Sequence, residues 1–161
     1  MNRFFSMLVV GAVLAVGIGA TAVAASTPDP AIGTWTLNVA KSRFSPGPAP
    51  TSATRTYAQT ADGSIALTFS GVASDGSPTS GASTFKYDGK DYPITGSPDY
   101  DTLSLKRVNR TTVKSLLKKD GKVIGFTTRT ITAHGKVLTL SSSGKDAKGT
   151  HFHQIAVYDK Q

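Results

Sequence analysis

The sequence predicts an all-β protein, an antiparallel up-and-down meander of about 8–10 short strands closed into a barrel. Three observations point there. All ten acidic residues are Asp and none is Glu; Asp favours turns whereas Glu favours helices. Apolar and polar residues alternate with a period of two, the spacing of a sheet with one covered face. Asp-Gly pairs recur beside the alternating runs at Asp62-Gly63, Asp75-Gly76, Asp88-Gly89 and Asp120-Gly121, with His134-Gly135 similar. Such pairs suit the left-handed backbone of tight hairpins.

The strands follow in order. Residues 33–38 form the first. Residues 52–59 and 64–71 make a hairpin across Asp62-Gly63, and 82–87 and 90–95 a short one across Asp88-Gly89. Residues 102–108 and 111–118 pair across Asn109-Arg110. A long strand at 122–132 pairs with 136–142, and 150–158 ends the series. Leu103 and Leu105 share one face, opposite Ser104 and Lys106; Leu138 and Leu140 oppose Val137 and Thr139. No amphipathic helix is available to cover the apolar face, so the sheet must close on itself or pair with a second sheet.

Two segments depart from this pattern. Residues 45–50 hold Pro46, Pro48 and Pro50, and read as a stiff connection crossing one barrel end. Before them, residues 38–44 can make one helical turn capped by Asn38.

Residues 1–25 read as an export signal. Arg3 supplies the positive start, an apolar stretch runs from Met7 to Ala25, and small residues place cleavage after Ala24 or Ala25. Residues 26–161 then form a single domain, periplasmic or secreted. Lipid attachment is excluded at that site because the chain has no Cys. No later stretch is apolar and long enough to span a membrane as a helix. Without disulfides, stability rests on packing and sheet hydrogen bonds.

The start and end of the domain carry a resemblance. Gly33-Thr34-Trp35 resembles the opening of lipocalins and fatty-acid-binding proteins. Thr128-Arg129-Thr130, Val137-Leu138-Thr139-Leu140 and Val157-Tyr158-Asp159-Lys160 resemble the final three strands of the fatty-acid-binding proteins. Over the full domain, the Gly-Thr-Trp start, the Ser-Pro-Gly-Pro loop and Tyr87-Asp88-Gly89-Lys90-Asp91-Tyr92-Pro93 look like bacterial lipocalin-like proteins of unknown function. The resemblance implies a barrel with an interior pocket for an apolar or amphipathic molecule. It implies that Trp35 plugs the closed end, that Arg129 lies near a ligand carboxylate, and that Tyr158 contacts it. Two departures stand out. The second arginine of that pattern is Ala156 here, and the helical lid shrinks to residues 38–51. A fatty-acid site of the usual kind is therefore not implied.

Trp35, Arg129 and Tyr158 are the candidate ligand-binding residues. Trp35 fits a ligand-facing wall or a core plug, and packing favours the plug. Arg129 can point inward, where it needs a ligand carboxylate or the Tyr158 hydroxyl, or outward into solvent. His151 and His153 share a strand face but lack further ligands, so they are weak metal candidates. No cofactor is called for. Four of the ten Asp sit in Asp-Gly turns, and no nucleophile elbow or phosphate loop appears.

The formal net charge is +8. Lys106, Arg107, Arg110, Lys114, Lys118, Lys119 and Lys122 form a basic stretch opposed only by Asp120. It reads as a solvated outer face, without the interleaved aromatics that nucleic-acid binding uses. The expected function is a monomeric exported carrier of a small apolar or amphipathic molecule. The alternative is an envelope interaction module that meets an anionic component through the basic face. An enzyme ranks third, supported only by the histidine pair.

Overall fold

The computed structural model describes residues 27–132 and 134–161. The expected export signal and cleavage site lie outside the described residues. The described residues form eleven strands. They are β1 (Gly33–Leu37), β2 (Arg43–Ser45), β3 (Ser52–Gln59), β4 (Ile65–Val72), β5 (Pro78–Phe85) and β6 (Asp88–Pro93). The rest are β7 (Thr102–Arg107), β8 (Thr112–Lys119), β9 (Lys122–Ile131), β10 (Val137–Lys145) and β11 (His151–Lys160).

Ten strands run in the antiparallel order β5-β4-β3-β1-β11-β10-β9-β8-β7-β6, and β2 pairs with β11 beside that path. The meander is the one expected from the alternating runs and their turns. At Asp120-Gly121 both residues take positive φ, 49° and 75°. That pairing matches the right-handed twist of the strands it joins. Asp62 shows how such turns hold themselves: its carboxylate accepts from the Thr60 and Ser64 hydroxyls and the Ser64 amide. Those bonds keep it well below the usual carboxylate range.

The two ends of the path, β5 and β6, nearly close the barrel. The expected hairpin across Asp88-Gly89 is splayed, with one bridge between Ser83 and Ile94. Pro93 has no N–H to give that ladder. A bulge between Asp88 and Asp91 commits β6 to β7 instead. The seam is closed by the Ser83 hydroxyl donating to the Pro93 carbonyl at 2.8 Å and the Thr95 amide donating to Ala82 at 2.9 Å. The chains approach so closely there that a Cβ on Gly81 would lie 2.1 Å from the Thr95 carbonyl.

The segment after β1 differs in part from expectation. Asn38 caps a 3-10 turn over Val39–Lys41, its side chain accepting from the Lys41 amide at 3.1 Å. The turn ends there, and Arg43–Ser45 becomes a strand. Strand β1 covers only Tyr158, Asp159 and Lys160 of β11, which leaves backbone groups further along that edge in need of partners. Strand β2 supplies them opposite Ile155, Gln154 and His153. Strand β5 also starts at Pro78 rather than 82, recruited by Val72 of β4; a proline is tolerated as a first strand residue.

The core is unevenly distributed along the barrel. The most deeply buried large side chains are Trp35, Phe85, Ile131, Leu138 and Val113. All five lie in the layer next to the β5–β6, β7–β8 and β9–β10 turns. That end is packed shut, with Ala31 fully buried and its carbonyl accepting from Trp35 Nε1 at 2.7 Å. Toward the opposite end the inward side chains become smaller or polar. The series runs Ile131, Arg129, Thr127 on β9; Leu138, Leu140, Ser142 on β10; and Tyr158, Ala156, Gln154 on β11. The interior therefore opens toward the 46–51 and 94–101 connections.

Candidate functional site: the barrel cavity

That change in side-chain size leaves a cavity of about 260 Å³. It is near the lower end of the range for small-molecule sites, about 300–1,000 Å³. Leu67, Phe85, Ile94, Leu103, Leu105, Val113, Leu117 and Leu140 give it an apolar wall. Phe44, Pro50 and Tyr100 line it toward the open end, so the proline-rich connection borders the mouth. Polar groups come from Ser115, Thr127, Ser142 and Gln154; the Thr127 and Ser142 hydroxyls bond each other at 2.8 Å.

Two guanidiniums and three phenols face this space. Arg129 points inward, on the same strand face as Ile131, and is only 5% exposed. Its Nη2 donates to the Tyr87 hydroxyl at 2.8 Å, and Asp29 Oδ1 lies 4.0 Å away. The rings of Tyr57 and Tyr87 each sit 5.2 Å from its guanidinium carbon. Its Nε is buried without a hydrogen-bond partner. Asp29 is shared, because it also pairs with Arg107.

Arg55 on β3 also enters the cavity, and sequence reasoning missed it. Its Nε donates to the Tyr57 hydroxyl at 3.3 Å. The rings of Phe69, Tyr57 and Tyr158 lie 5.6, 6.0 and 6.0 Å from its guanidinium carbon. No carboxylate lies within ion-pairing distance of it among the described residues. Burial opposes its charge; at high pH the phenolates of Tyr57, Tyr158 and Tyr100 favour it and raise its pKa, but at neutral pH those phenols are uncharged. The signal for Arg55 was present in the sequence: Ala53, Arg55 and Tyr57 alternate on one face of a strand.

The same electrostatics act on Tyr57. Burial pushes its phenol up, but Arg55 and then Arg129 pull it below its ordinary value. Tyr87 and Tyr100 are shifted up, chiefly by burial.

The other sequence candidates are placed as follows. Tyr158 lines the cavity and is 5% exposed, but its cationic neighbour is Arg55; the hydroxyl that Arg129 meets belongs to Tyr87. Trp35 is fully buried beneath the cavity and does not line it. His151 and His153 are exposed on the outer face of β11, with His153 Nδ1 3.2 Å from the Ser143 hydroxyl. Among the described residues no three His, Cys, Asp or Glu side chains come together as a metal site. Asp99 and Asp101 accept from the Ala147 and Asp120 amides, so both tie connections together at the open end.

Fold and site together define a small antiparallel β-barrel with one packed end and a cationic interior cavity. No family model matches the chain, and no curated protein sequence matches it. Among solved structures the chain is similar to the tryptamine complex of the amine binding protein of Rhodnius prolixus. The identity is 18% and the TM-score 0.45, covering 84% of this chain and 66% of that one.

Proposed function

We propose that this protein is an exported carrier whose barrel holds a small amphipathic organic anion. The apolar body lies against Leu67, Leu103, Leu105 and Leu140, and the acidic group meets Arg55 and Arg129. One observation carries the reading: Arg55 brings a positive charge into the cavity with no carboxylate within ion-pairing distance among the described residues. A buried, uncompensated charge is costly, and an anionic ligand removes that cost. The bare Nε of Arg129 offers a further donor. A cationic ligand meets the opposite field. Export rests on the apolar, small-residue character of residues 1–25.

The test holds the apolar body constant and changes only the head. Calorimetric titration with decanoate, decanol and decylamine should rank decanoate first, with decylamine giving no measurable heat of binding. Equal affinity for the three, or a preference for decylamine, would overturn the reading.

A further inference from the structure

The outer wall of the β8–β9 hairpin carries an exposed apolar strip. Phe126 is 57% exposed, Val123 55% and Leu116 41%. Leu116 and Phe126 are direct cross-strand partners, so their side chains stand together on the outer face. A bulge at Leu117 and Lys118 sets Val123 opposite Lys118, continuing the strip toward the hairpin turn. An ordinary solvated strand places polar residues at these positions.

Lysines surround the strip. Lys114 lies two residues from Leu116 on the same strand face, and Lys106 is its partner on β7. Lys122 and Lys145 lie toward the hairpin ends of β9 and β10. Among the described residues these four make no ion pair, whereas Lys118 and Lys119 are held by Asp91 and Asp101. Asp88, opposite Lys106 across the ladder, is engaged by the Tyr92 hydroxyl and the Lys90 amide. Within the basic stretch Arg107, Lys118 and Lys119 are therefore tied to carboxylates, while Lys106, Lys114 and Lys122, joined by Lys145 of β10, are free to meet an outside anion.

We infer that this face docks on an anionic lipid bilayer. Exposed aromatic and aliphatic side chains insert at the headgroup boundary, while lysines reach the anionic headgroups. Charge complementarity selects this occupant over a second copy of the chain, which would set unpaired lysines against unpaired lysines. The location fits exchange with a membrane. The β8–β9 turn is tied to the 94–101 connection through Asp101, whose carboxylate accepts from the Asp120 amide at 3.1 Å. Tyr100 of that connection lines the cavity near its mouth. The strip thus runs along the outer wall to the open end of the barrel, and the inference holds whatever the cavity contains.

The test is sedimentation of the purified protein with phosphatidylglycerol–phosphatidylcholine vesicles and with phosphatidylcholine vesicles, using the same N-terminus in every variant. The wild type should partition at least about tenfold more strongly to the anionic vesicles and lose that preference at high salt. The double variant V123S/F126S, and separately K114E/K122E, should each reduce partition by about tenfold or more. Both variants alter exposed residues away from the cavity, and unchanged far-ultraviolet circular dichroism would show the barrel intact. Wild-type partition by the folded V123S/F126S variant, or equal partition to both vesicles, would overturn the inference. So would a Phe126-dependent dimer in the absence of vesicles, which would assign the strip to a second copy.

Discussion

Arg55 and Tyr57 stand two residues apart on one strand face, joined by a 3.3 Å hydrogen bond from guanidinium to phenol. Among the described residues no carboxylate lies close enough to complete the pair. The aromatic rings around Arg55 supply partial compensation, since a cation over a π face is worth about 0.5–2 kcal/mol. The remaining imbalance distinguishes a site from a packing arrangement. A barrel that needed only a filled core would put an apolar side chain at position 55.

Replacing Arg55 with Met tests that distinction. Methionine has a similar length, no charge and enough flexibility to fill the space. Arg55→Met should leave stability unchanged or raise it by about 1 kcal/mol, because the buried uncompensated charge disappears. Decanoate affinity should fall by at least about tenfold, since a charge-assisted contact of about 1.5–3 kcal/mol is lost. Urea denaturation and calorimetry measure the two effects separately. A strongly destabilised variant would show that Arg55 serves the fold.

Tyr57 should titrate apart from the other buried phenols. Its folded-state pKa lies below the ordinary value of 10.0, whereas Tyr87 and Tyr100 lie above it. The lowered group contributes stability that is present above the unfolded pKa and is lost as pH falls through the folded one. The raised groups contribute stability that is present below the unfolded pKa and is lost as pH rises through their folded values. Ultraviolet absorbance at alkaline pH should resolve one early phenol, Tyr57, and three late ones, Tyr87, Tyr92 and Tyr100. Tyr57→Phe should remove the early step, and Arg55→Met should move it upward.

Much of the barrel was legible because its signals are local. Asp-Gly turns and period-two alternation act within a few residues, and the strands joined by such turns pair with their neighbours. The seam was less legible because it depends on a long-range choice. Residues 82–95 contain a good turn, but β6 commits to β7 and Pro93 cannot donate toward β5. Strand β2 was hidden for a related reason: only the uncovered edge of β11 calls for it. Within the site, Arg129 and Tyr158 were identified through resemblance, yet their partners were not. Tyr87, which lies 42 residues from Arg129, occupies the place expected for Tyr158. Arg55 could have been read from its face shared with Tyr57. A charged residue in a Thr-rich strand reads as solvent-facing until the barrel is closed.

Trp35 belongs to the packed end. It is fully buried, Nε1 donates to the Ala31 carbonyl, and Lys160 Nζ lies 5.0 Å from the ring centre. Trp35→Phe loses that hydrogen bond and part of the ring, which should cost about 2 kcal/mol. Trp35→Ala should cost about 3–5 kcal/mol. Decanoate binding by the Phe variant should match wild type, because the ring lies beneath the cavity. A large loss of affinity in a stably folded Trp35→Phe would move Trp35 from the plug to the binding wall.

Asp29 links the packed end to the cavity. Its carboxylate accepts from the Ala31 amide at 2.8 Å, pairs with Arg107, and lies 4.0 Å from Arg129. Asparagine retains the oxygen that the Ala31 amide requires, so Asp29→Asn removes charge while preserving the local turn. Arg129 then keeps Tyr87 as its partner but has no anion. Stability should fall by about 3 kcal/mol, the scale for removing one member of a buried ion pair. Anion affinity should move the other way, because Arg129 loses the carboxylate beside it. Decanoate should bind several-fold more tightly and restore part of the lost stability through mass action. Denaturation with and without decanoate tests both effects in one preparation. A destabilised variant with unchanged or weaker decanoate affinity would show that Asp29 supports the barrel end without shaping the field inside it.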